Sequence, residues 1–169
     1  MPNNQQQSAL PTPTVKRRLI SMIYEAFLLV AVEMLATGVY LIATGNRHEP
    51  VFQHGLKFVL FLVAAAYFIH FWTDSGHTLA MKTWRIKVVQ PGYAKLPLQT
   101  AAVRYLLSWG WFLPALLACY ALGIKGKAEV AGVIAVGVVG WAMTAFLDKD
   151  RQFLHDKLAG TRLVSIPKP

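Results

Sequence analysis

Residues 19–43 read LISMIYEAFLLVAVEMLATGVYLIA, an apolar stretch of 25 residues that only two charged side chains interrupt, Glu25 and Glu33. About 20 consecutive apolar residues are enough for an α-helix to cross the hydrocarbon core of a bilayer. The stretch is too long for the apolar region of a cleaved signal peptide, and two internal glutamates do not suit one. It therefore predicts a first membrane-spanning helix and not a cleaved leader.

Three further apolar stretches approach this length, at residues 56–73, 105–122 and 130–147. Only a few residues around Lys125 separate the last two of these stretches. Such a short connection joins antiparallel neighbours. Together with residues 19–43, the three stretches predict an all-α membrane protein built on a four-helix transmembrane bundle.

The composition agrees with a membrane location. Of the 169 residues, 55% are hydrophobic and only 15% are charged, whereas soluble domains usually carry about 25% charged residues. The single cysteine, Cys119, excludes an intramolecular disulfide and a cysteine-based zinc site. The five histidines lack the spacing of a helical metal site. We therefore expect no metal and no cofactor.

The basic residues predict the orientation of the spans. The formal net charge is +9, and cytoplasmic loops of membrane proteins carry an excess of Lys and Arg. If both termini are cytoplasmic, that side holds 13 of the 17 basic residues: Lys16, Arg17, Arg18, Lys82, Arg85, Lys87, Lys95, Arg104, Lys149, Arg151, Lys157, Arg162 and Lys168. We therefore expect a multi-pass protein of the bacterial inner membrane with both termini cytoplasmic. Its basic loops would face the anionic inner leaflet, so the charge requires no nucleic acid partner.

Two short segments outside the spans have the pattern of β-strands. Residues 84–89, in the long loop after the second span, alternate apolar and basic side chains, and residues 161–166 form a similar segment. Because the backbone groups of a strand need partners, we expect the two segments to pair at the cytoplasmic surface. Leu154 and Leu158, one turn apart, predict a short amphipathic helix before the second strand.

Several segments, taken in order, resemble the RDD family of small bacterial membrane proteins. Residues 17–19 (RRL) are followed by Glu25, where the family has an aspartate. Residues 76–82 (GHTLAMK) and 85–89 (RIKVV) are similar to the family's loop and following strand, with an alanine where a glycine is usual. Residues 151–161 (RQFLHDKLAGT) match the family's closing motif most closely. The motif positions there are Arg151, His155, Asp156 and Thr161.

The resemblance covers residues 16–166, which we interpret as one RDD-like membrane domain. Residues 1–15 are polar and proline-containing, and are predicted to be a disordered cytoplasmic tail. Residues 167–169 form the C-terminal end. The resemblance implies an involvement in ion or solute transport, in a family whose molecular role is largely undefined.

Ionisable residues near the cytoplasmic ends of the spans form a candidate charge cluster, which consists of Arg18, Glu25, His70, Arg104 and Asp148. Charges within a membrane are energetically expensive and are therefore functional candidates. We expect Arg104 or His70 to pair with Glu25, while the deeper Glu33 has no evident partner. Such a pair either fastens helices together or handles protons or ions, and the sequence leaves both interpretations open.

The closing motif offers a second candidate, Asp156. Arginine can bind a carboxylate through two hydrogen bonds, and several arginines are predicted on the same face. We expect Asp156 to be partly buried and to accept hydrogen bonds from an arginine or from loop N–H groups, which would hold the tail to the loop. The alternative is a solvated aspartate that balances nearby lysines.

Two functions remain in consideration. The first is transport of an ion or small solute through the Glu25-centred cluster. Because four spans make only a thin wall around a transport pathway, this function would require homo-oligomerisation. The second is a non-catalytic membrane adaptor or assembly factor that docks an unidentified protein partner by its basic cytoplasmic loop and tail. We do not expect an enzyme, because no Ser/His/Asp arrangement, paired catalytic carboxylates or phosphate-binding loop is visible.

Overall fold

The computed structural model describes residues 10–47 and 49–167, which form a helical bundle with a two-stranded sheet at one end. The elements are α1 (Val15–Ala43), α2 (Pro50–Asp74), α3 (Leu79–Thr83), β1 (Ile86–Val89), α4 (Leu98–Ser108), α5 (Leu113–Ala121), α6 (Lys127–Met143), α7 (Leu154–Leu158) and β2 (Arg162–Ser165). Short 3-10 turns follow α4 at Trp109–Trp111 and α6 at Thr144–Phe146. We call the end of the bundle that carries β1 and β2 the sheet end.

Within the described residues, three helices are long and apolar enough to cross a membrane: α1, α2, and α6 with the turn that follows it. A fourth span results if α4 and α5 are taken together, although they meet at an angle of 44°. Each predicted span overlaps one of these helices or the bent pair. The predicted all-α membrane fold is therefore confirmed, with a small sheet added at one end.

The bend in the span formed by α4 and α5 lies at Phe112, between the two helices. Pro114 is the second residue of α5. A proline in the first helical turn sacrifices no hydrogen bond, because the N–H groups there have no partner within the helix. Pro114 therefore begins a new helix after the break at Phe112.

The two strands pair antiparallel, with Ile86 opposite Ser165 and Val89 opposite Arg162. This is the pairing that the alternating segments predicted. The side chain of Arg17, from the first turn of α1, donates hydrogen bonds to the carbonyl groups of Trp84 and Arg85, just before β1. The start of α1 is thereby attached to the sheet.

The segment before α1 also joins the sheet. The N–H of Ser165 donates to the carbonyl of Pro11 at 2.8 Å. Residues 10–14 thus belong to the packed domain, which corrects the predicted boundary of the disordered tail at residue 15. The remainder of that tail, residues 1–9, lies outside the described residues, as do residues 168 and 169 of the predicted C-terminal end.

An apolar core closes the sheet end of the bundle. Its buried side chains include Trp72 of α2, Ile86 and Val88 of β1, Tyr105 of α4 and Leu163 of β2. These elements are far apart in sequence, so the core fastens the sheet onto the ends of the helices. The sheet therefore belongs to the same packed unit as the spans.

The hairpin of α5 and α6 packs through a small residue. A Cβ atom on Gly137 would lie 2.8 Å from the Cβ of Ala115, closer than such atoms normally approach. The same atom on Gly132 or Gly140 would meet nothing within 4 Å. This close contact of α6 is thus made within the chain, at Gly137.

Candidate functional site

A cavity of about 330 Å³ extends from the sheet end into the bundle, between α1, α2 and α4. One face of α1 forms part of its wall, with Arg18, Ser21, Glu25, Leu29 and Glu33 at intervals of three or four residues. Such intervals place side chains on one side of a helix. From the first to the last of these residues the face is about 22 Å long, at 1.5 Å per residue.

Three members of the predicted charge cluster lie in the cavity wall: Arg18, Glu25 and Arg104. His155 of the closing motif joins them there. His70 does not, because its side chain is exposed on the outer surface of α2. The prediction that His70 belongs to this cluster is therefore corrected.

Asp148 belongs to a separate surface pair. Its Oδ1 accepts a hydrogen bond from Lys157 Nζ at 2.8 Å, and its Oδ2 accepts one from the N–H of Gln152 at 3.1 Å. The hydrogen bond from Lys157 is the main reason why the pKa of Asp148 lies below its ordinary value. Asp148 shapes the turn before α7 and does not line the cavity, which corrects its predicted place in the cluster.

Asp156 is fully buried and forms the shortest ion pair of the closing motif, with Arg104. Its Oδ1 accepts two hydrogen bonds from Arg104, from Nε at 2.9 Å and from Nη2 at 2.6 Å. Burial alone would raise the pKa of Asp156. The positive charges of Arg104 and Arg18 and the hydrogen bonds from Arg104 hold that pKa below its usual range. The expected arginine contact is therefore present, and we call the Arg104–Asp156 pair the clasp.

His155 supports the clasp as a neutral ring. Its Nδ1 accepts a hydrogen bond from Trp141 Nε1 at 3.4 Å, and its Nε2 lies 3.5 Å from Asp156 Oδ1. The ring stacks on Phe153. Burial lowers the pKa of His155 to about 4, and the positive charges of Arg104 and Arg18 act in the same direction. At neutral pH, His155 therefore adds no positive charge to the site.

The remaining motif positions hold the backbone around the clasp. The N–H and the hydroxyl of Thr161 both donate to the carbonyl of Asp156, at 2.9 Å and 3.1 Å. They therefore satisfy a carbonyl near the end of α7 that the helix itself leaves without a partner. The carbonyl of Arg151 accepts a hydrogen bond from Arg18 Nη2 at 2.5 Å. Arg151 thus contributes its backbone to the site, while its side chain is exposed.

Arg18 is a buried cation with unused donors. It is only 2% exposed, and its guanidinium carbon lies 4.2 Å from the centroid of the Phe153 ring. Its Nε and Nη1 have no hydrogen-bond partner within the part of the chain that the structure describes. The hydroxyl of Ser21, one turn further along α1, is likewise without a partner among the described residues.

Glu25 is 7% exposed and is held by hydroxyl groups. Its Oε1 accepts a hydrogen bond from the Tyr67 hydroxyl at 2.6 Å, and its Oε2 accepts one from the hydroxyl of Thr78. The predicted pairing of Glu25 with Arg104 or His70 is therefore wrong. Arg104 is committed to Asp156, and the His70 side chain faces outward.

Four residues of this site were absent from the predicted set: Ser21, Tyr67, Thr78 and Gln152. Thr78 carries a sequence signal, because threonine is a preferred residue at the start of a helix. It caps α3 by accepting a hydrogen bond from the N–H of Met81 at 3.3 Å. Gln152 lies within the closing motif, and its side-chain amide bonds both the N–H and the carbonyl of Leu163 in β2. Tyr67 and Ser21 sit in apolar stretches and carry no comparable signal.

Comparison with known proteins gives one result. A family model described as the RDD family matches residues 12–160, which is most of the chain. The match includes α1, β1 and both halves of the clasp. No curated protein and no solved structure shows significant similarity to the chain.

Proposed function

The chain belongs to the RDD family of membrane proteins, and on this premise we propose that it transports an ion or a small solute through the cavity beside Glu25. We place it in the bacterial inner membrane with both termini cytoplasmic, as the distribution of Lys and Arg favours. The sheet end and the clasp then face the anionic inner leaflet. The role is that of a non-catalytic membrane protein.

The observation that carries the proposal is the surroundings of Glu25. The carboxyl group lies within a membrane-spanning helix, and both of its bonded neighbours in the described structure, Tyr67 and Thr78, are neutral. A negative charge that is buried without a counter-ion is costly. Among the described residues no basic side chain forms an ion pair with Glu25, so we infer that a proton or a cation taken up from outside neutralises it. Reversible uptake of such a positive species is the elementary step of ion-coupled transport.

The two hydroxyl donors give this step a structural connection. Tyr67 belongs to α2, and Thr78 caps α3, which leads into β1. A change of charge on Glu25 alters both hydrogen bonds, because a carboxylate accepts them more strongly than a neutral acid does. Binding of a proton or cation at Glu25 would thus change hydrogen bonds to α2 and to the sheet end at the same time.

The test is cation-driven proton flux in proteoliposomes that contain the purified protein. Glu25→Gln keeps the shape and an acceptor oxygen but cannot exchange a proton, so it should abolish flux. Glu129→Gln is the matched control, since Glu129 is exposed in the first turn of α6, and it should leave flux unchanged. If the wild-type protein gives no flux under any cation gradient, the transport proposal fails and the adaptor remains. Loss of flux in Glu129→Gln would show that Glu25 is not specifically responsible.

A further inference from the structure

We propose that the cavity binds an anionic single-chain amphiphile, with its acidic head group at Arg18 and Ser21 and its apolar chain along the α1 face toward Leu29. This inference rests on the proposed function, because it assigns the class of solute that the same cavity takes. Its head-group donors, Arg18 and Ser21, precede Glu25 on the α1 face, and the apolar chain passes Glu25 on its way to Leu29.

The charge count around Arg18 leaves one positive charge uncompensated. Two buried arginines, Arg18 and Arg104, share the single negative charge of Asp156, whose bonded oxygen is taken by Arg104. His155 is neutral at neutral pH because burial lowers its pKa to about 4. The next acid on α1, Glu25, lies about 10 Å from Arg18 and about 6 Å from Ser21 along the helix axis, and it is bonded to Tyr67 and Thr78. The sheet end of the cavity therefore favours an anion.

The donors available to that anion are buried and belong to two residues that line the same end of the cavity. Arg18 Nε and Nη1 have no partner among the described residues, and Arg18 lines the cavity at 2% exposure. The Ser21 hydroxyl, which is 3% exposed and also without a partner there, lies one turn further along the same face. A planar guanidinium beside a hydroxyl suits a phosphate or carboxylate oxygen. Unused buried donors are costly, so a head group that accepts from them is strongly favoured.

The apolar side chains in the rest of the wall favour an amphiphile over a simple inorganic anion. Beyond Ser21, apolar side chains such as Ala26, Leu29 and Phe68 continue the cavity. Its volume of about 330 Å³ lies within the range of small-molecule sites. From Arg18 to Leu29 the α1 face is about 16 Å long, close to the roughly 15 Å hydrocarbon depth of one leaflet. A single chain with its head at the membrane surface matches this length.

The experiment uses the intact protein in nanodiscs of zwitterionic lipid and reads the cavity by tryptophan fluorescence. Trp109 lines the cavity and packs against Phe61 of α2, away from the clasp, so a bromine atom at the far end of a bound chain would quench it. Trp72, beside Arg104, and Trp111, beside His155, lie at the head-group end and should be quenched less. The probes are 12-bromododecyl phosphate and its cationic analogue, 12-bromododecyltrimethylammonium. We expect the phosphate probe to bind at least about tenfold more tightly than the cationic probe, as expected from a charge-assisted hydrogen bond. Equal binding of the two probes would overturn the proposal.

Three variants locate the head group. Arg18→Gln should weaken binding of the phosphate probe about tenfold, and Ser21→Ala about threefold, in line with charged and neutral hydrogen bonds. Lys16→Gln removes the same charge from an exposed position two residues away and should change nothing. If Arg18→Gln fails to fold, Ser21→Ala and the selectivity of the wild type between probes still decide. Equal losses in Lys16→Gln and Arg18→Gln would reduce the effect to surface charge and refute the site.

Two further outcomes separate the inference from the transport proposal. Inorganic phosphate should not displace the bromododecyl phosphate at equal concentration, and displacement would assign the site to a small anion and overturn the amphiphile. Glu25-dependent flux without selective binding of the phosphate probe would refute the inference alone. Selective binding without any flux would refute the transport proposal alone.

Discussion

Replacing Asp156 by asparagine tests the clasp most directly, because it removes one charge and preserves the shape of the side chain. Asp156 is 0% exposed and Arg104 is 5% exposed. Removing one partner of such a pair typically costs about 3–5 kcal/mol, since the other charge stays buried without compensation. Asparagine retains an oxygen that can accept from the two N–H groups of Arg104. We therefore expect a loss near the lower limit, about 3 kcal/mol.

The loss should be visible as exposure of the tail to protease. A cost of about 3 kcal/mol raises the population of the undocked tail about a hundredfold. Trypsin cleaves after Lys157 and Arg162, which flank the end of α7 and the start of β2. Cleavage at these positions in neutral detergent should accelerate strongly in Asp156→Asn when opening is fast relative to proteolysis.

A matched variant and a double mutant make the result specific. Asp150→Asn applies the same change to an aspartate whose side chain is 61% exposed and lies 3.5 Å from Arg162, so its tail should be cleaved at the wild-type rate. In Arg104→Gln/Asp156→Asn neither buried charge remains, and the double mutant should lose less stability than the sum of the single mutants. If Asp156→Asn is cleaved no faster than the wild type, or if the two mutations are additive, the clasp contributes no stability and the reasoning is refuted.

Acidification from about pH 7 to about pH 5 should lower the free energy of unfolding by about 2 kcal/mol. The pKa of His155 is about 4 in the folded protein and near its ordinary value in the unfolded chain. The unfolded chain therefore binds the proton first as the pH falls. Thermal unfolding across this pH range should lose that slope in His155→Gln and keep it in His70→Gln, and a slope that persists in His155→Gln contradicts the assignment. Gly137→Ala should lower the melting temperature in detergent, since the new Cβ would lie 2.8 Å from its neighbour across the hairpin, whereas Gly132→Ala, with open space around the added atom, should not; equal effects would disprove the close contact. A reporter that is active only in the cytoplasm should be active when fused after Pro169. Activity of a periplasmic reporter at the same position would contradict the predicted topology.

The spans were predictable because their signal is local. An apolar stretch such as residues 19–43 must be helical in a bilayer, where its backbone groups have no other partners. The strand pairing was predictable for a related reason, since two lone strands outside the spans had only each other. The family resemblance, drawn from ordered motifs, is confirmed by the match over residues 12–160.

The partners inside the site were predictable only in part, because charge alone does not choose between them. The sequence indicated that an arginine would hold Asp156, yet it could not select Arg104, which is 52 residues away, from the other arginines of that face. For Glu25 the same logic favoured a basic partner and was wrong. Tyr67 and Thr78 hold Glu25 instead, and hydroxyl groups in apolar or loop segments give no charge signal that a sequence pattern could detect.

The sheet also has a consequence for the biogenesis of the protein. β1 precedes α4, α5 and α6, and its partner β2 is synthesised only after them. The partner of Arg18, the carbonyl of Arg151, is synthesised 133 residues later, and the partner of Arg104, Asp156, also follows it in the chain. Until residues 151–165 have been synthesised, two arginines remain without these partners at the membrane surface and β1 has an open edge. A prematurely terminated chain would therefore insert its spans and still display unpaired charge and an unpaired strand, the features by which a membrane protease or chaperone can distinguish it from the finished protein.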